Sequence, residues 1–80
     1  MLELKPTNSQ KSFYGKAMVS FSSTGAKTLY SYGTPIAHIE SDGTFEKLWY
    51  GYSATTMKHI NSFRETFGLP KLSKSQWEKL

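Results

Sequence analysis

Residues 52–68 read YSATTMKHINSFRETFG and carry the local signals that begin, pattern and end a helix. Ser53 is a favourable N-cap, because its hydroxyl can accept a hydrogen bond from a free amide of the first turn. Gly68 supplies the left-handed residue that ends many helices, and Pro70 prevents the helix from resuming. Apolar residues recur at steps of three and four, so they share one face: Met57, Ile60, Phe63 and Phe67. The sequence therefore predicts one long helix that buries this face.

The chain before this helix is typical of antiparallel strands. The strands predicted from alternation and β-rich composition are residues 13–21, 28–32, 36–40 and 44–50. Gly15 interrupts the first strand and suggests a bulge, and Pro35 bends the chain before the third strand because it cannot donate to a sheet ladder. The turn signals are residues 22–25 and the Asp42-Gly43 pair, a strong hairpin signal.

The two ends of the chain differ in pattern. Residues 1–11 have little periodicity and are predicted to be a flexible arm, although Leu2 and Leu4 alternate with charges as in a short edge strand. Residues 12–80 form a single globular domain. Near the end, Ser73 and Gln76 match a capping box, which predicts a short helix that docks through Trp77 and Leu80. Tyr52 and Leu72 are placed as hydrophobic staples of the two helices.

The predicted fold class is α+β. It consists of an antiparallel β-meander of three or four strands, one long helix packed on a face of the sheet, and a short C-terminal helix. The short helix can be only about two turns long, so it needs tertiary contacts to be stable.

Composition limits the classes of function. The 80 residues carry a formal net charge of +4 and no cysteine, so thiolate metal sites and disulfides are excluded. No apolar run approaches the ~20 residues of a membrane span, and the N-terminus lacks a signal peptide's apolar core. We therefore expect a cytoplasmic protein. The positive charge favours acidic partners but is also ordinary for a small domain.

Catalytic signals are weak. His38 and His59 are the only histidines, and neither lies in a motif that activates a nucleophile. The six carboxylates are scattered, without the spacing of an acid–base pair or a metal cage. The sequence also has no phosphate-binding loop or dinucleotide fingerprint. We expect a protein that is not an enzyme and that needs no cofactor or metal.

Binding is the better supported class, and two surfaces are candidates. The first is the start and polar face of the predicted helix, where free amides and a lysine favour an anion. Its candidate residues are Ser53, Thr55, Thr56, Lys58, His59 and Ser62. The alternative is that Ser53 only caps the helix, that the threonines are exposed or pack on a neighbouring strand, and that the strip is a plain solvated face.

The second surface comes from the aromatic residues of the predicted strands. Its candidate residues are Tyr14, Lys16, Tyr30 and Tyr32. Exposed rings between lysines can stack on nucleic-acid bases or anchor a protein interface. The alternative is that most of these rings belong to the core.

Several segments together resemble a family of small phage and prophage proteins of Gram-positive bacteria. They are SFYGKA at 12–17, LYSYGTPIA at 29–37, LWYGYSATTMKHINSFRETFGLP at 48–70 and SKSQWEKL at 73–80, with GYSATTMKHINSFR as the core signature. The resemblance implies a stand-alone accessory protein that acts by stoichiometric binding, as anti-defence and host-takeover factors do. It brings no catalytic residues, cofactor or substrate.

Three hypotheses follow, and the third, a small enzyme, is kept only because the absence of a motif is weak evidence. In the first, the chain is a non-enzymatic accessory protein that binds a host protein or nucleoprotein complex in the bacterial cytosol. In the second, it binds DNA or RNA directly through a basic, aromatic surface. Direct phosphate contacts would make the affinity fall steeply with salt, which separates the first two.

Overall fold

The computed structural model describes residues 1–8, 10–51 and 53–80. Its elements, in chain order, are β1 (Leu2–Glu3), β2 (Ala17–Phe21), β3 (Lys27–Ser31), β4 (Thr34–Ile39), β5 (Phe45–Lys47), α1 (Ala54–Thr66) and α2 (Lys74–Glu78). The staple predicted at Tyr52 lies outside the described residues.

Within these residues the strands form one antiparallel sheet of five strands in the order β1-β2-β3-β4-β5. The predicted α+β class and the antiparallel meander are confirmed, but the count of three or four strands is wrong. The additional strand is β1, which pairs Leu2 with Val19 and Glu3 with Met18. The Asp42-Gly43 hairpin is confirmed, with Gly43 at φ 93° between β4 and β5.

The stretch predicted as an arm contributes to the folded core. Leu4 is buried, and its N–H donates to the Ala17 carbonyl over 2.9 Å. Further along, the hydroxyl of Thr7 donates to a Glu65 carboxylate oxygen on α1 over 2.6 Å. The folded unit therefore includes residues before position 12.

The strand boundaries differ most from the predicted ones at the start of β2, at the start of β4 and at the end of β5. Gly15 forms a turn that precedes β2 instead of a bulge inside it. Pro35 lies within β4, opposite Tyr30, at an irregularity of the β3–β4 ladder. This position is tolerated because β5 pairs only with residues 37–39, so no β5 acceptor faces the missing amide. β5 itself is short and ends at Lys47 rather than at residue 50.

Helix α1 begins and ends as the sequence indicates. The Ser53 hydroxyl accepts from the Thr56 amide over 3.1 Å, and Gly68 adopts φ 84° after the last turn. The apolar face is buried at Met57, Ile60 and Phe63, whereas Phe67 is only partly buried. The helix has 13 residues, so the expectation of a long helix is wrong; this length is typical of globular proteins.

The direction of α1 follows from its contacts. His59 lies against Ser31 at the end of β3, whereas the ring of Phe67 lies 6.1 Å from that of Phe21 at the end of β2. Because β2 and β3 are antiparallel, α1 runs in the direction of β2. The start of α1 therefore lies at the end of the sheet where β2 begins and β3 ends.

Helix α2 is short but firmly docked. Its capping box is formed by Ser73 and Gln76 as predicted, and Trp77 is fully buried. The indole N–H of Trp77 donates to the Gly51 carbonyl over 3.1 Å, and the Lys47 amine donates to the Trp77 carbonyl over 2.8 Å. Leu80 was predicted to dock as well, and this is wrong: it is 54% exposed, because α2 ends before it.

Candidate functional site

Two tyrosines of the described chain have left-handed backbone conformations. Tyr14 has φ 53° and Tyr32 has φ 51°, and each is followed by a glycine with positive φ, Gly15 at 76° and Gly33 at 81°. Two successive positive φ angles define the tight turn that joins hairpin strands with the correct twist. Asparagine is the usual residue at the first of these positions, because bulky residues are strained there.

Both turns are closed by hydrogen bonds and are direct neighbours. The Lys16 amide donates to the Phe13 carbonyl over 2.9 Å, and Ser31 pairs with Thr34 across the second turn. The Tyr32 amide donates to the Lys16 carbonyl over 2.8 Å, which joins one turn to the other. We call residues 13–16 and 31–34 the tyrosine turns.

The rings of these turns lie at the surface. Tyr14 is 77% exposed and Tyr32 is 59% exposed. The Lys16 amine lies 5.4 Å from the centre of the Tyr32 ring, within the range of a cation–π contact. Two aromatic rings and a cation are therefore displayed together at one end of the sheet.

A side chain of β1 stabilises the turn that carries Tyr14 through hydrogen bonds. A Glu3 carboxylate oxygen accepts from the Gly15 amide over 3.1 Å and from the Ser12 hydroxyl over 3.4 Å. The Ser12 hydroxyl oxygen in turn accepts from the Tyr14 amide over 2.8 Å. Glu3 thus holds the turn in place. The turn that carries Tyr14 therefore has a carboxylate bound at Gly15 and a cation at Lys16.

His59 lies beneath the tyrosine turns. It is 1% exposed, and its Nδ1 shares a hydrogen bond of 2.8 Å with the Ser31 hydroxyl. The Phe13 ring meets the imidazole edge-on at 4.5 Å between centres, and the Tyr32 ring lies at 5.8 Å. Burial lowers the pKa of His59 below the ordinary 6.5, so the ring is neutral at pH 7. Ser31 and Phe13 were not among the predicted site residues.

The predicted strip along α1 is not one exposed surface. Thr56, His59 and Ser62 are buried, whereas Ser53, Thr55 and Lys58 are exposed. The prediction that all six face solvent together is therefore wrong. The physical reason is that other segments cover α1.

The covering contacts come from both ends of the chain. The Thr7 amide donates to the Ser62 hydroxyl over 3.1 Å, and the Asn61 side chain hydrogen-bonds both backbone groups of Leu72. The Arg64 Nε–H donates to the Pro70 carbonyl over 2.7 Å. Three sides of α1 are thereby occupied by the sheet, residues 4–8 and residues 69–72.

The remaining predicted residues lie apart from the tyrosine turns. Ser53 caps α1, and its hydroxyl donates to the Thr56 hydroxyl over 3.0 Å. Lys58 lines a groove of about 160 Å³ with Lys71 and Thr7. Tyr30 is opposite Met18 and Pro35, on the sheet face that turns away from α1, and is half-buried.

Comparison with known proteins gives a family but no activity. The family model whose description reads "Family of unknown function (DUF8033)" matches residues 2–79. The chain belongs to DUF8033. The DUF8033 match includes all the strands, both helices and both tyrosine turns. No curated protein and no solved structure matches the chain. The resemblance to phage proteins stays a prediction.

Two further observations concern the class of site. Among the described residues, neither helix is long and apolar enough to cross a membrane. Within the same residues, histidines and carboxylates do not gather in groups of three that could hold a metal ion.

Proposed function

We propose that this protein is a small non-enzymatic binding protein that contacts a partner protein, alone or in a nucleoprotein complex, through the tyrosine turns. One observation carries the proposal. Two exposed tyrosines, Tyr14 and Tyr32, occupy adjacent positions with left-handed backbone, where a large side chain is unfavourable.

The unfavourable backbone conformation of the two tyrosines is the argument for a binding role. A left-handed conformation costs a residue other than glycine about 1–2 kcal/mol, and asparagine reduces this cost. Burial of the Tyr14 ring offsets little of this conformational free energy, because most of the side chain is in contact with solvent. Strain that the fold itself does not need is typical of binding sites.

The chemistry of the turns favours a protein as the partner. Tyrosine is enriched at protein interfaces, where a rigid ring supplies contact area and its hydroxyl a hydrogen bond. Lys16 lies at the Tyr32 ring, and the same pair of turns binds the Glu3 carboxylate at Gly15, so the turns are not uniformly basic. Two other cations serve the fold: Arg64 stacks on Phe45 at 4.5 Å, and Lys47 donates to the Trp77 carbonyl.

The source of the partner follows only from the resemblance described above. If the chain is a phage-type accessory protein, its partner is a host protein of the bacterial cytosol, and its role is anti-defence or host takeover. This part stays a prediction.

The test is a pair of substitutions that removes both rings and keeps both turns. Tyr14→Asn with Tyr32→Asn replaces each tyrosine by the residue that this turn prefers. Immobilised wild-type protein is incubated with a nuclease-treated bacterial host lysate, and the proteins that it retains are identified. We expect the double variant to lose them and to melt at the wild-type temperature or above.

The matched control is Tyr50→Ala. Tyr50 is 75% exposed, also precedes a glycine, and lies near Lys47 at the β5 side of the sheet. This control should retain the same proteins as the wild type. Retention by the double variant, or equal loss in the Tyr50→Ala variant, contradicts the assignment of the contact to the tyrosine turns.

Nucleic acid is the second candidate, because Lys16 lies beside two exposed rings on which bases could stack. Binding of single-stranded DNA and RNA is measured by fluorescence anisotropy over a range of salt concentrations. Direct phosphate contacts predict an affinity that falls steeply with salt and also falls with Lys16→Gln. Our proposal predicts no binding to either polymer.

A further inference from the structure

The two edges of the sheet are treated differently by the fold. At the β5 edge, α2 contributes Trp77, whose ring lies 6.3 Å from that of Phe45 and whose carbonyl accepts from Lys47. At the other edge, the described residues place no strand or helix beyond β1. An uncovered edge is a template for another strand, and proteins commonly block it.

The backbone of β1 leaves hydrogen-bonding groups on its outer side. The Leu4 amide donates inward, to the carbonyl of Ala17, the first residue of β2. Alternate residues of a strand face the same neighbour, so Leu2 also faces β2 and Glu3 faces outward. The N–H and C=O of Glu3 are thereby turned away from the sheet.

An apolar groove lies directly beside this edge. It has a volume of about 250 Å³ and runs between β1, the end of β2 and the end of α1. Its apolar lining includes Leu2, Leu4, Val19, Phe21 and Phe67. Leu2 is 64% exposed and Phe21 is 50% exposed, so two large side chains are only partly covered.

The charges around the groove select its occupant. Lys5 lines it, and the Lys27 amine lies 5.1 Å from the centre of the Phe67 ring. Glu3 also lines the groove, but its carboxylate is directed to the Gly15 amide, away from Phe21 and Phe67, so the two lysines dominate the charge at that end of the groove. A second copy would bring the same lysines and a net charge of +4, so like charges would oppose pairing.

We propose that β1 and this groove bind an extended, acidic segment of a partner protein by strand addition. The segment pairs with the outer backbone groups at Glu3. Its alternate apolar side chains enter the groove beside Phe21, and its acidic side chains meet Lys5 and Lys27. The groove beside Phe21 and Phe67 lies at the opposite end of the sheet from Tyr32. Glu3 is common to both surfaces, because its carboxylate also accepts from the Gly15 amide of the tyrosine turns.

The probe is a hexapeptide of alternating valine and glutamate, acetylated and amidated at its ends. A peptide of alternating valine and lysine is the charge control. Binding to the whole protein is measured by titration calorimetry, and the contact is mapped by amide chemical shifts. We expect the glutamate peptide to bind at least about tenfold more tightly, with shifts at residues 2–5 and around Phe21.

Variants separate strand addition from general charge attraction. Phe21→Ser should weaken glutamate-peptide binding about tenfold, whereas Leu80→Ser, at a residue of similar exposure, should leave it unchanged. Lys5→Glu alters an exposed residue outside the core, so it tests the site even if Phe21→Ser unfolds the protein. It should reverse the preference between the two peptides.

Several outcomes would overturn the proposal. They are equal binding of both peptides, no binding of either peptide, or no effect of Lys5→Glu. A dimer detected by sedimentation and abolished by Lys5→Glu or Phe21→Ser would assign the groove to a second copy instead. The variant with Tyr14→Asn and Tyr32→Asn should bind the glutamate peptide like the wild type, so failure of one proposal leaves the other standing.

Discussion

His59 joins the sheet to α1 from a position between Ser31 and two aromatic rings. Its Nδ1 is 2.8 Å from the Ser31 hydroxyl, and Phe13 and Tyr32 enclose the imidazole. A charged imidazole would lose hydration in this position, and this desolvation lowers its pKa. His59 therefore helps to set the stability of the fold beneath the tyrosine turns.

The lowered pKa of His59 predicts that stability depends on pH. The unfolded chain binds a proton near the ordinary pKa of 6.5, and the folded chain binds it only at lower pH. Stability is therefore complete above pH 6.5 and is lost as pH falls below it. We expect the free energy of unfolding, measured with urea, to decrease from pH 7.5 to pH 5.

The other histidine supplies the control for this prediction. His38 lies on the opposite sheet face, 3.0 Å from a Glu40 carboxylate oxygen, and His38→Gln should keep the decrease. His59→Asn retains a hydrogen-bonding group near the position of Nδ1. This variant should remove most of the decrease in the free energy of unfolding between pH 7.5 and pH 5. NMR titration of the folded protein gives an independent reading, and a His59 pKa at or above 6.5 would contradict the argument.

At the scale of elements, α1 is stabilised by its caps and by its apolar face. Phe63 is fully buried at the centre of that face, whereas Phe67 is partly buried at its end beside Phe21 and Lys27. Removal of a buried ring forfeits its burial and leaves a cavity. The position of each phenylalanine along α1 should therefore decide the cost of its removal.

We expect Phe63→Ala to lower the free energy of unfolding by about 3–5 kcal/mol. Small domains have little more stability than this to lose, so the variant will be largely unfolded at 37 °C. Phe67→Ala is the matched control and should cost clearly less. Denaturant unfolding at 15 °C measures both, and equal costs would mean that α1 does not bury the face seen here.

For the whole molecule, α2 closes the core and one edge of the sheet. Trp77 joins the core cluster with residues of the strands and α1, although it belongs to a helix of five residues. A helix this short is not stable alone, so its docking depends on the Trp77 contacts. α2 in turn packs against the side chains of Phe45 and Lys47 of β5.

Removal of residues 73–80 should therefore lower the melting temperature and promote self-association. The deletion exposes the apolar surface under Trp77 and leaves the β5 edge open. Light scattering and thermal unfolding measure the two effects. Leu80→Ser, which changes an exposed residue of the same segment, should alter neither. Unprotected amides at residues 75–79 in hydrogen exchange would show that α2 is not docked.

Much of the fold could be predicted because its signals act between near neighbours. Ser53 marks the start of α1, and Gly68 marks its end. The Asp42-Gly43 pair forms a hairpin turn. The capping box of Ser73 and Gln76 marks the start of α2. Each signal involves residues at most a few positions apart. The predictions from caps, turns and periodicity were therefore correct, because these signals do not depend on how distant segments pack.

The candidate site could be predicted only as separate residues. Tyr14, Lys16, Tyr32 and His59 are all among the predicted binding residues, but the sequence placed His59 on a solvated helix face. A signal for the turns was present, since Tyr32-Gly33 separates two β-rich runs by two residues. The preference of this turn for asparagine obscures that signal.

By itself, the sequence determined the approximate positions of β2 to β5 and of both helices, the core face of α1 and the hairpin at Asp42-Gly43. The tertiary structure decided which polar residues of α1 meet solvent and which aromatic residues gather at one end of the sheet. Thr7 hydrogen-bonds Ser62, which is 55 positions away in the sequence, and Ser31 hydrogen-bonds His59, which is 28 positions away. Such contacts depend on how distant segments pack, and side-chain patterns within one element do not encode that packing.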